Sequence, residues 1–269
     1  MTTSGQNSSR TKKISKLRYQ GGKTKQWKHI VPIIEFYLRK NCNKFGRCEY
    51  VEPFIGGGNI FTRVNWPVKV CNDIDNDMVN LWEYLINGGE IPSAESLTQE
   101  LYNELRYQDK VGVRTNESWL YGLVSHICSY GGKKWGGYAH FNQRKGEDHI
   151  LEAISSLKKQ IDTNISSNVV FKCEDYRNLD IKDGSVVYCD PPYEGTTDYK
   201  TSFDHQAFWE WCRSLSKRGC IVLISEYNAP KDFICIWRGR KPDGMGTTKT
   251  GKKQKVKTEK LFLYIGNGK

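Results

Sequence analysis

The stretch Ser185-Val186-Val187-Tyr188-Cys189-Asp190-Pro191-Pro192-Tyr193 joins an apolar strand to a rigid turn. Consecutive prolines fix two φ angles, remove two backbone donors and keep the residues before them out of the α region. Open α/β sheets place their chemistry at such carboxyl ends of strands. The turn exposes the Asp190 carboxylate, free carbonyl oxygens and the ring of Tyr193, a set that suits the exocyclic amino group of a planar base. A purely structural turn is the alternative.

Six further apolar segments are predicted to be strands. They lie at 49–52, 68–71, 169–171, 220–224, 233–237 and 261–265. Helices are predicted where apolar side chains follow helical spacing, at 28–41, 78–85, 150–161 and 208–215. Strands that alternate with helices indicate an α/β fold with a doubly wound, mostly parallel sheet covered on both faces. Residues 89–164 interrupt this alternation, and we interpret them as a smaller domain inserted into the sheet domain.

A glycine-rich turn, Glu52-Pro53-Phe54-Ile55-Gly56-Gly57-Gly58, follows the first predicted strand. Glycine lets the backbone approach a ligand and present its N–H groups, although a glycine run can also be only a flexible loop. Asp73 follows the second strand, where nucleoside-binding folds place an acid that accepts hydrogen bonds from ribose hydroxyls. An ordinary turn or helix-capping acid is the alternative. Because the G-x-G-x-x-G spacing is missing, the pattern favours a nucleoside without a pyrophosphate.

The formal net charge of the 269 residues is +11, and the excess lies at the two ends. Residues 1–28 carry eight basic and no acidic side chains, and the C-terminal basic segment, 238–260, carries nine basic and two acidic ones. This distribution favours a polyanion partner, whose phosphates release counterions when they are neutralised, over two solvated tails.

Membrane and disulfide classes are disfavoured by the sequence. No apolar run approaches the roughly 18 residues that a spanning helix needs. The nine cysteines include no C-x-x-C pair, so they fit neither a disulfide framework nor a zinc site. Reduced thiols in a cytoplasmic protein are the simpler expectation.

Five motifs occur in the order that is typical of one enzyme family: 17–23, 52–58, 72–75, 173–176 and 190–193. With them the chain resembles, from about Lys16 to Tyr264, the Dam-type (α-class) DNA adenine-N6 methyltransferases. The resemblance implies a Rossmann-like methyltransferase sheet, S-adenosyl-L-methionine (AdoMet) as cofactor and double-stranded DNA as partner. It also implies that 89–164 is a DNA-recognition domain.

The resemblance implies roles for individual residues. The catalytic turn is Asp190, Pro191, Pro192 and Tyr193. The cofactor-binding positions are Tyr19, Lys23, Pro53, Phe54, Gly56, Gly58, Asp73, Asp175, Tyr176 and Asp190. Asp73 falls on the ribose-binding acid, and Asp175 and Tyr176 fall where the adenine ring of the cofactor is held. An adenine flipped out of the duplex would donate its N6 hydrogens to Asp190 and the Pro191 carbonyl, which frees the nitrogen lone pair for attack.

DNA contacts are expected in two places. The stretch 129–144 combines a glycine-bounded aromatic tip with polar side chains and resembles a hairpin able to enter a groove. The predicted nucleic-acid-binding residues are Lys133, Lys134, Trp135, Asn142 and Arg144 in this stretch, and Lys252 and Lys253 in the C-terminal basic segment. The alternative for the stretch is a surface loop whose aromatics only pack on the sheet domain.

The expected organisation is a flexible basic arm at 1–16, an AdoMet-binding catalytic domain at 17–88 and 165–269, and a target-recognition domain at 89–164. We expect a monomer in the cytoplasm of a bacterial cell, encoded by the bacterium or a phage, without membrane or metal partners. Three alternatives keep the fold: methylation of cytosine N4, methylation of adenine in RNA, and a catalytically inactive DNA-binding relative. Asp rather than Ser before Pro-Pro favours adenine, and the intact motifs disfavour an inactive protein.

Overall fold

The computed structural model describes residues 19, 21–139, 146, 148–162, 168–194, 203–240 and 258–265. The expected arm at 1–16 and four predicted DNA-binding residues lie outside these ranges: Asn142, Arg144, Lys252 and Lys253. Within the described part of the chain, no helix is both long and apolar enough to cross a membrane.

The described residues form helices and strands in close agreement with the predicted alternation. The helices are α1 (Trp27–Phe45), α2 (Asn76–Ile86), α3 (Gln99–Val111), α4 (Ser118–Ile127), α5 (His149–Ile161) and α6 (His205–Lys217). The strands are β1 (Tyr50–Glu52), β2 (Val68–Asn72), β3 (Asn168–Lys172), β4 (Val186–Cys189), β5 (Ile221–Glu226), β6 (Phe233–Arg240) and β7 (Thr258–Tyr264). All seven predicted strands are present, and α3 and α4 are additional helices within residues 89–164.

One seven-stranded sheet has the order β3-β2-β1-β4-β5-β7-β6. The first five strands are parallel, whereas β7 runs antiparallel to both of its neighbours. The prediction of a mostly parallel sheet is therefore confirmed. The strand order reverses between β1 and β4, and the carboxyl ends of strands at such a reversal leave a crevice between them. The glycine loop and Asp190 follow directly from these two strands.

The sheet is covered on both faces, as the alternation predicted. Successive side chains of a strand point to opposite faces, and those of β4 divide accordingly. Val186 and Tyr188 belong to a hydrophobic cluster that includes α1, whereas Val187 and Cys189 belong to a second cluster that includes α6. All four side chains are buried, which is the pattern of a parallel strand in the middle of a doubly wound sheet.

Residues 89–164, the predicted insert, extend one of these clusters. Tyr121, Leu123 and Val124 of α4 are fully buried in the cluster that includes α1. The close packing of α4 on α2 requires a glycine, because a Cβ at Gly122 would lie 2.3 Å from the carbonyl oxygen of Asp77. The insert is thus fastened to the helix that begins just after Asp73.

Candidate active site

A cavity of about 630 Å³ opens at the carboxyl ends of β1, β2 and β4. Its lining includes nearly all of the predicted catalytic and cofactor-binding residues: Tyr19, Lys23, Pro53, Phe54, Gly56, Asp73, Asp175, Tyr176, Asp190, Pro191, Pro192 and Tyr193. The fold therefore brings five sequence motifs to one site.

Gly58 differs from the other glycine-loop residues. It is not among the described residues that line the cavity, although the sequence predicted a cofactor contact. Its φ is +64°, and a Cβ there would lie 2.4 Å from Cζ2 of Trp82. The Trp82 indole in turn donates to the carbonyl oxygen of Gly56 at 2.9 Å. Gly58 therefore has a packing role, because it lets the glycine loop lie against Trp82.

Asp73 lies at the cavity beside the glycine loop. Its carboxylate accepts from the backbone N–H of Gly56 at 2.8 Å and from that of Asp75 at 3.0 Å. Burial raises the pKa of Asp73 to about 6, against the opposing effect of these amide donors. Each carboxylate oxygen has a further lone pair, so the group can accept hydrogen bonds from a ligand as well.

Asn72, next to Asp73, holds three motifs together. Its Nδ2 donates to the carbonyl oxygens of Pro53, at 3.0 Å, and Glu174, at 2.9 Å. The loops that follow β1, β2 and β3 are therefore fixed to one another at the cavity rim.

The catalytic candidate Asp190 forms a buried ion pair. Both of its oxygens accept from Lys23, with Nζ at 2.5 Å from Oδ2, and Lys23 Nζ also lies 3.0 Å from Glu259 Oε1. Burial raises the pKa of Asp190 above its usual value, and the Lys23 charge opposes this rise. Burial alone would lower the pKa of Lys23, but the two carboxylates raise it. Lys23 therefore stays charged and favours the ionised form of Asp190.

Glu259 is a site residue that the sequence prediction missed. It lies on β7, is 1% exposed, and accepts from the hydroxyl of Tyr193 at 2.7 Å. Lys23 Nζ lies 4.8 Å from the centre of the Tyr193 ring, so the ring is fixed at its hydroxyl and covered on one side. The sequence offered one signal for Glu259: it is an acidic residue just before an apolar strand, in a segment with nine basic and two acidic side chains.

Glu226 is a second missed carboxylate. It ends β5 and accepts from the backbone N–H groups of Glu194, at 3.1 Å, and Tyr227, at 2.6 Å. Burial raises its pKa to about 7. Glu226 thus fastens the chain just after Tyr193 to the neighbouring strand.

An aromatic wall closes the cavity near β3. The rings of Phe54 and Tyr176 lie 5.3 Å apart, and Tyr176 contacts Trp211 edge-on at 5.0 Å. Asp175 caps the short turn that carries Tyr176 and pairs with Arg177 at 2.6 Å. The hydrogen bonds from Arg177 lower the pKa of Asp175.

The predicted DNA-reading loop is folded back on the protein where it is described. Lys134 Nζ pairs with Asp75 at 2.8 Å and Asp77 at 3.0 Å, and Trp135 Nε1 donates to Asp109 at 2.7 Å. A β-bridge joins Ser129 to Tyr138, but the Trp135 ring packs against the core cluster. This arrangement agrees with the alternative of a packed loop; Lys133 is exposed. The described residues contain no group of three His, Cys, Asp or Glu side chains that could hold a metal.

Comparison with known proteins gives one consistent result. A family model described as D12 class N6 adenine-specific DNA methyltransferase matches residues 19–233. The type II methyltransferase M1.LlaDCHI of Lactococcus lactis subsp. cremoris is 25% identical over 256 residues, covering 80% of this chain and 84% of that protein. The DNA adenine methylase of Escherichia coli strain K12 is 27% identical and covers 79% of this chain and 80% of its own length. The DNA N-6-adenine-methyltransferase of Escherichia phage P1 is 26% identical over 78% of this chain but 32% of its own length.

Proposed function

This chain belongs to the D12 class of N6 adenine-specific DNA methyltransferases, and from that membership we propose how its cavity performs the reaction. AdoMet occupies the cavity beside the glycine loop, and Asp190 receives the amino group of the target adenine. The observation that carries the proposal is the position of Asp190, which lines the cavity together with Gly56 and Asp73.

The cavity residues fit the cofactor of this family. The glycine loop passes so close to Tyr19 that a Cβ at Gly56 or Gly57 would lie 2.8 or 2.6 Å from the Tyr19 side chain. Asp73 offers acceptor oxygens to ribose hydroxyls, and the wall of Phe54 and Tyr176 offers an apolar surface to the adenine ring. AdoMet, when bound, supplies a methyl group on a positively charged sulfonium sulfur. This methyl group is readily transferred because the sulfur leaves as a neutral thioether.

Asp190 acts on the nucleophile. The lone pair of an adenine N6 is delocalised into the ring, which makes the amine a poor nucleophile. Asp190 and the Pro191 carbonyl accept hydrogen bonds from the two N6 hydrogens, drawing the nitrogen towards tetrahedral geometry and releasing its lone pair. The N–C bond would form as the C–S bond of the sulfonium breaks, the thioether would leave, and N6 would then lose one proton to solvent. The charge of Lys23 opposes the rise that burial causes in the pKa of Asp190, and so favours the ionised form, which can accept at both oxygens. Holding both reactants in line can supply an effective molarity of order 10⁵–10⁸ M.

Tyr193 supports the target base. Its hydroxyl is held by Glu259, so the ring can offer a fixed face on which a base stacks. A base in a duplex must be flipped out to reach such a site, at a cost of a few kcal/mol. Stacking on Tyr193 offsets part of that cost.

The partner is DNA, as the family establishes; we further propose that it is double-stranded and that the protein acts as a monomer in the cytoplasm. The relatives named above include bacterial and phage proteins. Residues 89–164 are proposed to read the target sequence, and exposed Lys133 and the two basic ends are proposed to contact phosphates, which position the protein without reading sequence.

The test is methyl transfer from labelled AdoMet to unmethylated duplex DNA, single-stranded DNA and RNA, followed by digestion and analysis of the nucleosides. We expect N6-methyladenine from duplex DNA. The Asp190→Ala variant, which removes the acceptor, should lose at least about 100-fold in single-turnover rate, while Asp183→Asn, which alters a carboxylate 68% exposed and paired with Arg218, should keep full activity. Label in N4-methylcytosine, label only in RNA, or no transfer at all would refute the proposal.

A further inference from the structure

Asn59 is a buried amide without a partner. It follows the glycine loop directly, is 4% exposed and lines the cavity. Neither its Nδ2 nor its Oδ1 has a hydrogen-bond partner within the protein. A buried amide that makes no hydrogen bond costs free energy, and its chain neighbour Ile60 shows that apolar side chains are accommodated here.

Two glycines that line the cavity lie close to the Asn59 amide. A Cβ at Gly22 would lie 2.9 Å from Nδ2, and a Cβ at Gly57 would lie 3.3 Å from it. The amide is therefore enclosed by two glycines, one from the motif that carries Lys23 and one from the glycine loop. Both glycines also line the cavity, so a ligand that lies along them comes within reach of the amide.

We infer that Asn59 binds the α-amino-carboxylate group of the cofactor. A carboxamide presents a donor and an acceptor side by side, which matches a ligand group that combines a carboxylate with an ammonium. In the proposed function, Asp73 contacts the ribose of AdoMet, and Phe54 and Tyr176 contact its adenine ring. The amino-acid group is the part of the cofactor that still needs polar partners. This inference rests on the proposed function, since it requires AdoMet in the cavity.

Two ligands separate the role of Asn59 from the integrity of the pocket. S-adenosylhomocysteine contains the amino-acid group, whereas 5′-methylthioadenosine keeps the adenosine and the sulfur but lacks that group. Binding of both is measured by calorimetry on the full chain and on the variants Asn59→Leu and Asn59→Asp. Leu has the same number of side-chain heavy atoms as Asn and removes both polar functions; Asp keeps the shape, removes the donor and adds a negative charge.

The expected result is selective. Both variants should bind S-adenosylhomocysteine at least about tenfold more weakly than the parent protein, because hydrogen bonds to charged groups are lost. Their affinity for 5′-methylthioadenosine should stay within about twofold of the parent value. The urea midpoint of ligand-free Asn59→Leu should be equal to or above that of the parent, since an unpartnered amide has been removed from the interior. Asn80→Leu is the control, because Asn80 on α2 donates to its own helix; it should leave both affinities unchanged.

The outcomes distinguish the two proposals. Equal weakening of both ligands, or no weakening of S-adenosylhomocysteine, would overturn the role of Asn59 and leave the proposed function standing. If the parent protein binds neither ligand, the proposed function fails, and the inference fails with it.

Discussion

Cofactor affinity should depend on pH through Asp73. The pKa of this carboxyl is about 6 in the ligand-free protein because it is buried. The ionised form accepts hydrogen bonds from ribose hydroxyls, whereas the protonated form loses an acceptor oxygen. Affinity should therefore fall as the pH falls through 6.

The size of the effect follows from the titration. At pH 7 about nine-tenths of Asp73 is ionised, and at pH 5 about one-tenth is. If only the ionised form binds, the dissociation constant at pH 5 should be about tenfold higher than at pH 7. Above pH 7 the affinity should become constant with respect to this group.

The assay is calorimetric titration of S-adenosylhomocysteine between pH 5 and pH 8. Asp73→Asn should bind more weakly at pH 7 and should show no such change between pH 5 and pH 7. Asp190→Asn is the control for a second acid that lines the cavity and should retain the tenfold change. A flat profile in the parent protein, or an unaltered profile in Asp73→Asn, would refute the assignment of Asp73.

The raised pKa of Asp73 also makes the stability of the ligand-free fold depend on pH, in the direction opposite to that of cofactor affinity. The folded protein holds the Asp73 proton more tightly than the unfolded chain, in which the pKa is near 3.8. The contribution of Asp73 to stability should therefore decrease as the pH rises from about 4 to 6. Asp73→Asn should lose this part of the dependence of the unfolding free energy on pH.

Three further predictions concern packing and DNA. Glu259→Leu leaves Lys23 paired with Asp190 but removes the acceptor of the Tyr193 hydroxyl, and it should lower the free energy of unfolding in urea by about 1–3 kcal/mol. Glu259→Gln, which keeps an acceptor oxygen, should lose less; a fully stable leucine variant would contradict this. Gly58→Ala should lower the free energy of unfolding, measured by thermal unfolding, more than Gly46→Ala does. Both glycines have a positive φ, so each variant should lose about 1–2 kcal/mol through backbone strain. Only the Cβ at position 58 meets a neighbour, so Gly58→Ala should lose about 1–3 kcal/mol more through overpacking. Replacing both Lys252 and Lys253 by Ala should reduce the slope of log DNA affinity against log salt by about 1.8; an unchanged slope would place the phosphate contacts elsewhere.

The sheet and the cavity could be predicted because their signals are local. Apolar runs that end at a glycine or proline turn identify parallel strands, and the residues after those runs necessarily meet at one edge. That rule was sufficient to place Asp73 and Asp190 on the same cavity. Because Asp190 directly follows β4 and the two prolines after it restrict the backbone, its position depended little on the rest of the chain.

The parts that escaped prediction depend on contacts between distant segments. All residues of α4 from 121 to 127 are buried, so its sequence lacks the contrast between an apolar and a polar face by which a helix is predicted. The strand order at β7 and β6 cannot be read from apolar runs, and Glu259 could not be placed beside Lys23 without it. Lys134 was predicted to contact DNA, but its partners Asp75 and Asp77 lie at the start of α2, more than 50 residues earlier in the chain.

The antiparallel strand β7 carries a strict constraint on register. Glu259 is paired with Gly239 of β6, and neighbouring side chains on a strand alternate between faces, so a slip of one residue would turn Glu259 away from Lys23 and bring its neighbour towards it. The pairing of β6 with β7 is irregular between Cys235 and Trp237. The pairing is regular again at Gly239, the partner of Glu259, so the sheet tolerates a local irregularity near this pair. Insertions between residues 240 and 258 therefore leave the ion pair intact as long as β7 keeps its register. A single residue inserted after Glu259 does not, since it shifts the carboxylate relative to every pair that follows.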